Sequence, residues 1–328
     1  MTTGNERAIF IVGIEHRCGT NFLSDLLALH ADCCRPLTIG EDFFLHNAHH
    51  LHAFAQGLHA SWNPQWRLSA SQSDIGAALG RGLLSILTEQ ADRPAPRLVT
   101  KTPRADRLAL FPWLFPDHPL LILIRDGRSV VESAVRSFSW SYQKATERWC
   151  RGARRILEFD RDQQRGDCRH LIVRYEDLVT DLTAEMHRIL AFLRLDPAGY
   201  DFDAAEASPV RGSSTLKGQG QSLHWKPVPK SSNFNPLARA NHWTASQRRS
   251  FLQSAGMYQH LLGYEAEGLA QSGVLGGLWS RWLARRWQRK ITRHRLMPLA
   301  QRQVLGPQLA QLDEHAAQPL AKVQRQAA

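Results

Sequence analysis

Residues 13–21 form a short loop between a predicted strand and a predicted helix. The loop reads GIEHRCGTN and contains Arg17, Gly19, Thr20 and Asn21. Glycines permit a tight turn and close backbone approach, and amides at the start of a helix can bind an anion. A guanidinium adds paired donors for phosphate or sulfate oxygens. The spacing predicts an oxyanion-binding loop, although a solvated turn with a helix cap gives the same short pattern.

This loop departs from the phosphate loop of nucleoside-triphosphate enzymes. That motif has four residues between its glycines, followed by Lys and then Ser or Thr. Here five residues separate Gly13 from Gly19, and Thr20 stands in the lysine position. A nucleotide kinase would also need a magnesium-binding acid after a strand, which the sequence does not display. A kinase is therefore the weaker alternative.

A second group of cations and hydroxyls follows another predicted strand. Arg125 ends this strand, and Ser129, Ser133 and Arg136 are spaced to share one side of the helix after it. That side can hold a second phosphate at the carboxyl edge of a sheet. An ordinary surface helix with solvated arginines would show the same spacing.

The loop at 13–21 and the group that begins at Arg125 can bind one ligand only if the fold brings the ends of their two strands together. Apolar, strand-length runs occur at 8–12 and within 97–103, 119–125 and 170–178. Helical spacing occurs at 22–30, 143–161 and 183–193. Buried strands separated by helices predict an α/β fold with a parallel sheet and helices on both faces. We expect irregular helices and loops over 41–96, a polar loop over 208–236, and two short helices at 244–254 and 257–262.

Taken together, these segments resemble the sulfotransferase family. In that family the first loop binds the 5′-phosphosulfate of the donor 3′-phosphoadenylyl sulfate (PAPS), and the strand-end Arg with the following Ser binds its 3′-phosphate. RYEDLV at 174–179 and the segment 241–264, which ends in Gly-Tyr, resemble two further family features. The resemblance covers about residues 8–265 in family order. It implies a P-loop-like parallel sheet and transfer of a sulfuryl group to a hydroxyl or amine.

The resemblance also implies roles for individual residues. The phosphosulfate would be held by Arg17, Cys18, Gly19, Thr20 and Asn21. The 3′-phosphate would be held by Arg125 and Ser133. Cys18 replaces the usual Ser, which leaves its backbone amide as donor, and Asn21 replaces Thr or Ser with altered donor geometry. No motif in the sequence requires a metal.

Sulfuryl transfer needs a base near the acceptor proton and cations near the leaving phosphate. By resemblance to the protein-tyrosine and carbohydrate branches, Glu41 is the expected base and Asp42 the alternative. A carboxylate that only stabilises a helix N-terminus would look the same. The small-molecule branch uses His, for which the candidates are His16, His46, His49 and His50.

Lys101 is the expected leaving-group cation, together with Arg17. It ends a predicted strand and resembles a family Lys that precedes Pro or Asp. A lysine that closes a strand can equally be solvated. Lys226 and Lys230, in the polar loop, can close over the nucleotide.

Most of the excess positive charge lies near the C-terminus. The formal net charge is +11, which favours anionic partners. No acidic residue occurs between Glu267 and Asp313, whereas this stretch contains Arg281, Arg285, Arg286, Arg289, Lys290, Arg293, Arg295 and Arg302. The spacing over 275–295 predicts a basic amphipathic helix, which can contact an anionic membrane through 275–302 or dock on the catalytic body.

We therefore predict a sulfotransferase domain at 1–270 and a basic helical extension at 271–328. The N-terminus lacks a secretion-signal layout, and five irregularly spaced cysteines suit a reducing compartment. These features predict a cytoplasmic protein, peripheral at the membrane if the extension binds there. No nucleic-acid motif occurs, so nucleic acid is not an expected partner. The acceptor (a glycan, a lipid-linked or a small molecule) and the oligomeric state stay open. A non-catalytic membrane- or polyanion-binding protein on the same fold is the alternative.

Overall fold

The computed structural model describes residues 8–66, 70–163, 166–211, 227–228 and 239–264. Its sheet strands are β1 (Ala8–Gly13), β2 (Cys33–Cys34), β3 (Arg97–Thr102), β4 (Leu120–Ile124) and β5 (His170–Arg174). All pair in parallel, in the order β2-β3-β1-β4-β5. Two short strands, β6 (Val210–Arg211) and β7 (Pro227–Val228), form a separate antiparallel pair.

Helices connect the parallel strands, as the right-handed crossovers of such sheets require. Within the described residues they are α1 (Thr20–Leu27), α2 (Phe44–Ser61), α3 (Gln72–Thr88), α4 (Phe111–Leu114), α5 (Gly127–Phe138), α6 (Tyr142–Gln163), α7 (Tyr175–Thr180), α8 (Leu182–Leu193), α9 (Phe202–Ala207) and α10 (Ala245–Leu261).

Both faces of the sheet are covered. Every residue of β1 and of β4 is buried, whereas most of β5 is only partly buried at the sheet edge. Successive side chains of a strand point to opposite faces, so burial of all of them requires packing on both sides. The predicted α/β fold with helices around a parallel sheet is confirmed.

The strand register brings three chain segments to one edge. Val12 of β1 pairs with Thr102 of β3, and Gly13 pairs with Leu123 of β4. Lys101, the loop after β1, and Arg125 therefore emerge side by side at the carboxyl ends of neighbouring strands. Ligand sites of open parallel sheets lie at this edge.

Two predictions about local structure were wrong. Residues 41–96 do not form irregular helices, because they contain the long regular helices α2 and α3. Helix α3 starts at a reciprocal cap between Ser71 and Asp74, a sequence signal for a helix start. The two short helices expected at 244–262 are one continuous helix, α10. Gly256, where a break was expected, is buried within it, and packing keeps a glycine helical there.

Several predictions lie outside the described residues. They are the basic extension at 271–328 with its amphipathic helix, and the loop residues Lys226 and Lys230. The domain boundary at 270 stays a prediction for the same reason. Of the helices that the structure describes, none combines the length and hydropathy needed to cross a bilayer.

Candidate functional site

The loop between β1 and α1 closes tightly because of its two glycines. A Cβ on Gly13 would lie 2.5 Å from Cys18 Sγ and 2.6 Å from the Pro103 carbonyl oxygen. Gly19 has a φ of +110°, and a Cβ there would lie 2.5 Å from the Tyr175 ring. No side chain caps α1, so its first turn presents backbone amides at the loop. This geometry suits an anion at the helix start.

The predicted loop ligands point in different directions. Cys18 is 1% exposed, and burial raises the pKa of its thiol to about 11, which keeps the thiol neutral near pH 7. Its amide donates to the Glu15 carbonyl at 3.2 Å. In this structure the buried thiol and the backbone amide of Cys18 therefore both stabilise the turn. Thr20 is also buried, whereas Arg17 and Asn21 are partly exposed.

Arg17, Arg125 and Ser133 come together in one cluster. Arg17 has a left-handed backbone, with φ of 75°, a conformation that costs a residue with a side chain about 1–3 kcal/mol. Its Nε donates to Ser133 Oγ at 3.2 Å, and Arg125 Nη1 donates to the Arg17 carbonyl at 3.2 Å. Residues expected at two ends of a nucleotide are thus in direct contact.

Arg239 joins this cluster and was missed by sequence reasoning. Its Nη1 donates to Ser133 Oγ at 3.3 Å. Burial, and secondarily the charge of Arg125, lower the pKa values of Arg17 and Arg239 to about 10. Both guanidiniums stay charged near pH 7, so a bound dianion would relieve their mutual repulsion. Arg239 lies 106 residues from Ser133 in an otherwise polar stretch, and no local pattern distinguishes it.

Tyr175 links the loop to Arg125. It lies in the RYEDLV motif at the start of α7 and is 4% exposed. The Arg125 guanidinium carbon lies 3.9 Å from its ring centroid, a cation–π contact. The same ring closes against Gly19 and meets the Phe22 ring edge-on at 6.1 Å between centroids. Tyr175 therefore fixes Arg125 relative to the start of α1.

The Gly-Tyr end of the described chain supports the end of β4. Trp149 Nε1 donates to the Arg125 carbonyl at 3.2 Å. Glu176 accepts a hydrogen bond from the Asp126 amide at 3.0 Å and another from the Tyr264 hydroxyl at 2.9 Å. Burial raises the pKa of Glu176 despite these bonds. These contacts hold the backbone from which Arg125 projects.

A cavity of about 520 Å³ lies beside the loop, next to α1 and the end of β3. Asn21, Glu41 and Lys101 all line it. Lys101 Nζ lies 4.0 Å from Glu41 Oε1 and also donates to the Gly40 carbonyl. The structure therefore brings the expected base, the expected leaving-group cation and one expected loop ligand to one cavity.

Asp42, the alternative base, has a structural role. Its Oδ2 accepts from the Thr100 hydroxyl at 2.8 Å and its Oδ1 from the Phe44 amide at 3.0 Å. Burial raises the pKa of Asp42, because desolvation outweighs these bonds. The Asp42 amide donates to the Lys101 carbonyl at 3.0 Å, which fastens the segment carrying Glu41 to β3.

The histidine candidates face other partners. His16 Nδ1 lies 2.6 Å from Glu15 Oε1, and His46 Nδ1 lies 3.1 Å from Asp106 Oδ2. The rings of His49 and His50 contact each other at a tilt of 37°, with centroids 3.8 Å apart. No histidine occurs among the described residues that line the cavity. The described ranges also contain no group of three or more His, Cys, Asp or Glu arranged to hold a metal.

Comparisons with known proteins place this chain in one family. A sequence profile described as the sulfotransferase family matches residues 8–198. The protein-tyrosine sulfotransferase of Drosophila melanogaster is 27% identical over 195 residues, 56% of this chain and 37% of the relative. Protein-tyrosine sulfotransferase A of Caenorhabditis elegans is 28% identical over 194 residues, 56% of this chain and 49% of the relative. The matched region thus spans less than half the length of either relative.

A solved structure is also similar to this chain. It is the sulfotransferase domain of the olefin synthase from Synechococcus PCC 7002, which superposes with a TM-score of 0.46 at 22% identity. The superposition covers 81% of this chain and 98% of that domain.

Proposed function

The chain belongs to the sulfotransferase family, and we propose that it transfers a sulfuryl group from PAPS to a hydroxyl or amine of an acceptor. One observation carries the proposal. The guanidinium cluster of Arg17, Arg125 and Arg239 and the cavity with Glu41 and Lys101 lie at the same sheet edge. An anion site and a base site flank the first loop, as a two-substrate transfer requires.

Arg17 and the first amides of α1 would bind the phosphosulfate of the donor. Arg125, Ser133 and Arg239 would bind its 3′-phosphate. Forked guanidinium donors in a partly desolvated cluster suit phosphate dianions better than single solvated cations do. The two phosphate sites would be contiguous, since Arg17 Nε and Arg239 Nη1 both donate to Ser133 Oγ.

Glu41 would act as the base. It would take the proton from the acceptor hydroxyl while the acceptor oxygen attacks sulfur. The new bond from oxygen to sulfur forms as the bond from sulfur to the bridging phosphate oxygen breaks. Lys101 would stabilise the charge that develops on that departing oxygen. Positioning and electrostatics account for catalysis of this kind, because the protein forms no covalent intermediate.

The donor product, 3′-phosphoadenosine 5′-phosphate (PAP), gives a direct test. We expect the full chain to release PAP from PAPS only when an acceptor is added. Arg17→Ala should abolish this release, while Arg81→Ala, on the exposed side of α3, should leave it unchanged. No acceptor-dependent release from any hydroxyl or amine compound, together with no PAP binding, would refute the proposal.

The division into a sulfotransferase domain at 1–270 and a basic extension at 271–328 is part of the same proposal. The family match at 8–198 lies within the first part. The eight cations over 281–302 support contact of the extension with an anionic membrane surface. Sedimentation with anionic but not neutral vesicles, lost on deletion of 271–328, would test this. A cytoplasmic location stays a prediction.

A further inference from the structure

The cavity beside the first loop is lined by both apolar and polar side chains. The apolar ones include Leu37 and Phe43, which are 72% and 36% exposed. The polar ones include Asn21 and Ser24 of α1. A volume of about 520 Å³ falls in the range of small-molecule sites. Its chemistry therefore bears on which acceptor can enter.

The charges around the cavity sum to a negative value. Three carboxylates and two cations line it: Asp25, Glu41, Asp92, Arg35 and Lys101. Arg35 already binds two of these carboxylates. Its guanidinium donates to Asp25, and its backbone amide donates to Asp92 Oδ1 at 2.9 Å. The lining is thus net negative in a chain whose net charge is +11. Anions are attracted to the arginine cluster but opposed in this cavity.

The hydrogen-bonding groups of the cavity further restrict the class of compound that can be the acceptor. The lining also offers hydrogen-bonding groups besides its carboxylates, among them Asn21 and Ser24. A ligand with several hydroxyls can use more of these groups than a phenol, which has one hydroxyl. A polyol supplies a hydroxyl on almost every carbon, and its C–H face can rest on Phe43 and Leu37.

We infer that the acceptor is an uncharged saccharide, bound in this cavity with one hydroxyl directed at Glu41. The inference rests on the proposed sulfuryl transfer. It differs from what the names of the protein-tyrosine relatives imply. An acidic peptide would bring its carboxylates close to Asp25 and Asp92, and such like-charge contacts select against a ligand.

The test compares acceptors that differ only in charge. PAP release would be measured with cellobiose and with its carboxylated form, cellobiouronic acid, and with a tyrosine peptide flanked by Asp or by Asn. We expect kcat/KM to be at least about tenfold higher for each uncharged member, as for one partly screened charge contact. Cellobiose should also exceed both peptides.

A charge reversal at the cavity tests whether the preference for uncharged acceptors arises at this site. Asp92→Lys should reduce the preference for cellobiose over its acid by about tenfold. Asp117→Lys is the matched control, because Asp117 is also exposed and is not among the residues that line the cavity. It should leave the preference unchanged.

Three outcomes would overturn the inference. They are a preference for the acidic peptide, no PAP release with either disaccharide, and equal shifts in the two Lys variants. Each can occur while PAP binds normally and another acceptor is sulfated, in which case the proposed function stands. Failure to bind PAP would instead refute the proposed function itself.

Discussion

The guanidinium carbon of Arg125 lies 3.9 Å from the ring centroid of Tyr175, and the same ring occupies the space beside Gly19 where a side chain would stand. One buried aromatic ring therefore sets the distance between the anion-binding loop and the cation at the end of β4. This contact between the loop and Arg125 requires an aromatic ring at Tyr175 and a glycine at Gly19.

Replacement of Tyr175 tests the role of its ring. Tyr175→Leu should weaken PAP binding by about tenfold, because a cation–π contact contributes about 1 kcal/mol or more when desolvated. Tyr175→Phe keeps the ring and should bind PAP within about twofold of the parent chain. Calorimetric titration measures both. Equal losses in the two variants would show that the hydroxyl, and not the ring, matters.

Gly19→Ala should abolish PAP binding and lower stability. The positive φ disfavours any side chain, which costs about 1–3 kcal/mol, and the new Cβ would collide with Tyr175. Gly82→Ala is the matched control, because Gly82 lies inside α3 with open space around it. That change should stabilise the chain by about 0.5–1 kcal/mol. Thermal denaturation and PAP titration check both, and normal PAP binding by Gly19→Ala would contradict the loop geometry.

Glu132 anchors the segment that carries Arg239. It is 3% exposed and accepts hydrogen bonds from Trp243 Nε1 and the Tyr142 hydroxyl, both at 2.8 Å. Arg136 Nε donates to its other oxygen at 2.5 Å. Burial alone would raise the pKa of Glu132, but these bonds outweigh it and lower the pKa below 4.5.

The lowered pKa gives a pH dependence with a definite sign. The ionised carboxylate stabilises the fold fully above the unfolded-state pKa, and this contribution is lost as the pH falls through the folded-state pKa. Glu132→Gln should lower the free energy of unfolding by about 2 kcal/mol at pH 7, and by much less once the pH has fallen through the lowered folded-state pKa of Glu132. Denaturant unfolding at several pH values measures this. Glu147→Gln, on the exposed side of α6, should show neither effect.

Local sequence patterns predicted the sheet well, for a physical reason. The runs that became β1, β3 and β4 are continuous, apolar and bounded, so their burial follows from composition over a few residues. Parallel pairing then places Lys101 and Arg125 at one edge without further information. The strands and the positions of Lys101 and Arg125 therefore follow from short-range sequence signals.

The rest of the site depends on contacts between distant residues. Arg239 reaches Ser133 because Trp243 packs on Glu132, 111 residues away in sequence. The inward position of Cys18 follows from its contact under Gly13, which the loop sequence alone does not specify. The pairing of Arg35 with Asp25 likewise depends on how β2 returns beside α1. No periodicity encodes such relationships.

Glu41→Gln and Asp42→Asn should fail in different ways. Glu41→Gln should lower kcat for PAP release by about 10²–10⁴, the usual contribution of a general base, with unchanged PAP affinity. Asp42→Asn should instead lower the melting temperature, because Asp42 holds the Thr100 hydroxyl and the Phe44 amide. Steady-state kinetics and thermal denaturation separate the two. A full loss of kcat in a stable Asp42→Asn variant would transfer the role of base to Asp42.

Calorimetric comparison of PAP with 5′-AMP tests the central claim most directly, because the two ligands differ only in the 3′-phosphate. We predict that the chain binds PAP in the micromolar range and AMP about a hundredfold more weakly, as several charge-assisted hydrogen bonds imply. Arg125→Ala and Arg239→Ala should remove this difference, while Arg81→Ala should retain it. Equal affinity of the parent chain for PAP and AMP would contradict the assignment of the arginine cluster to the donor nucleotide.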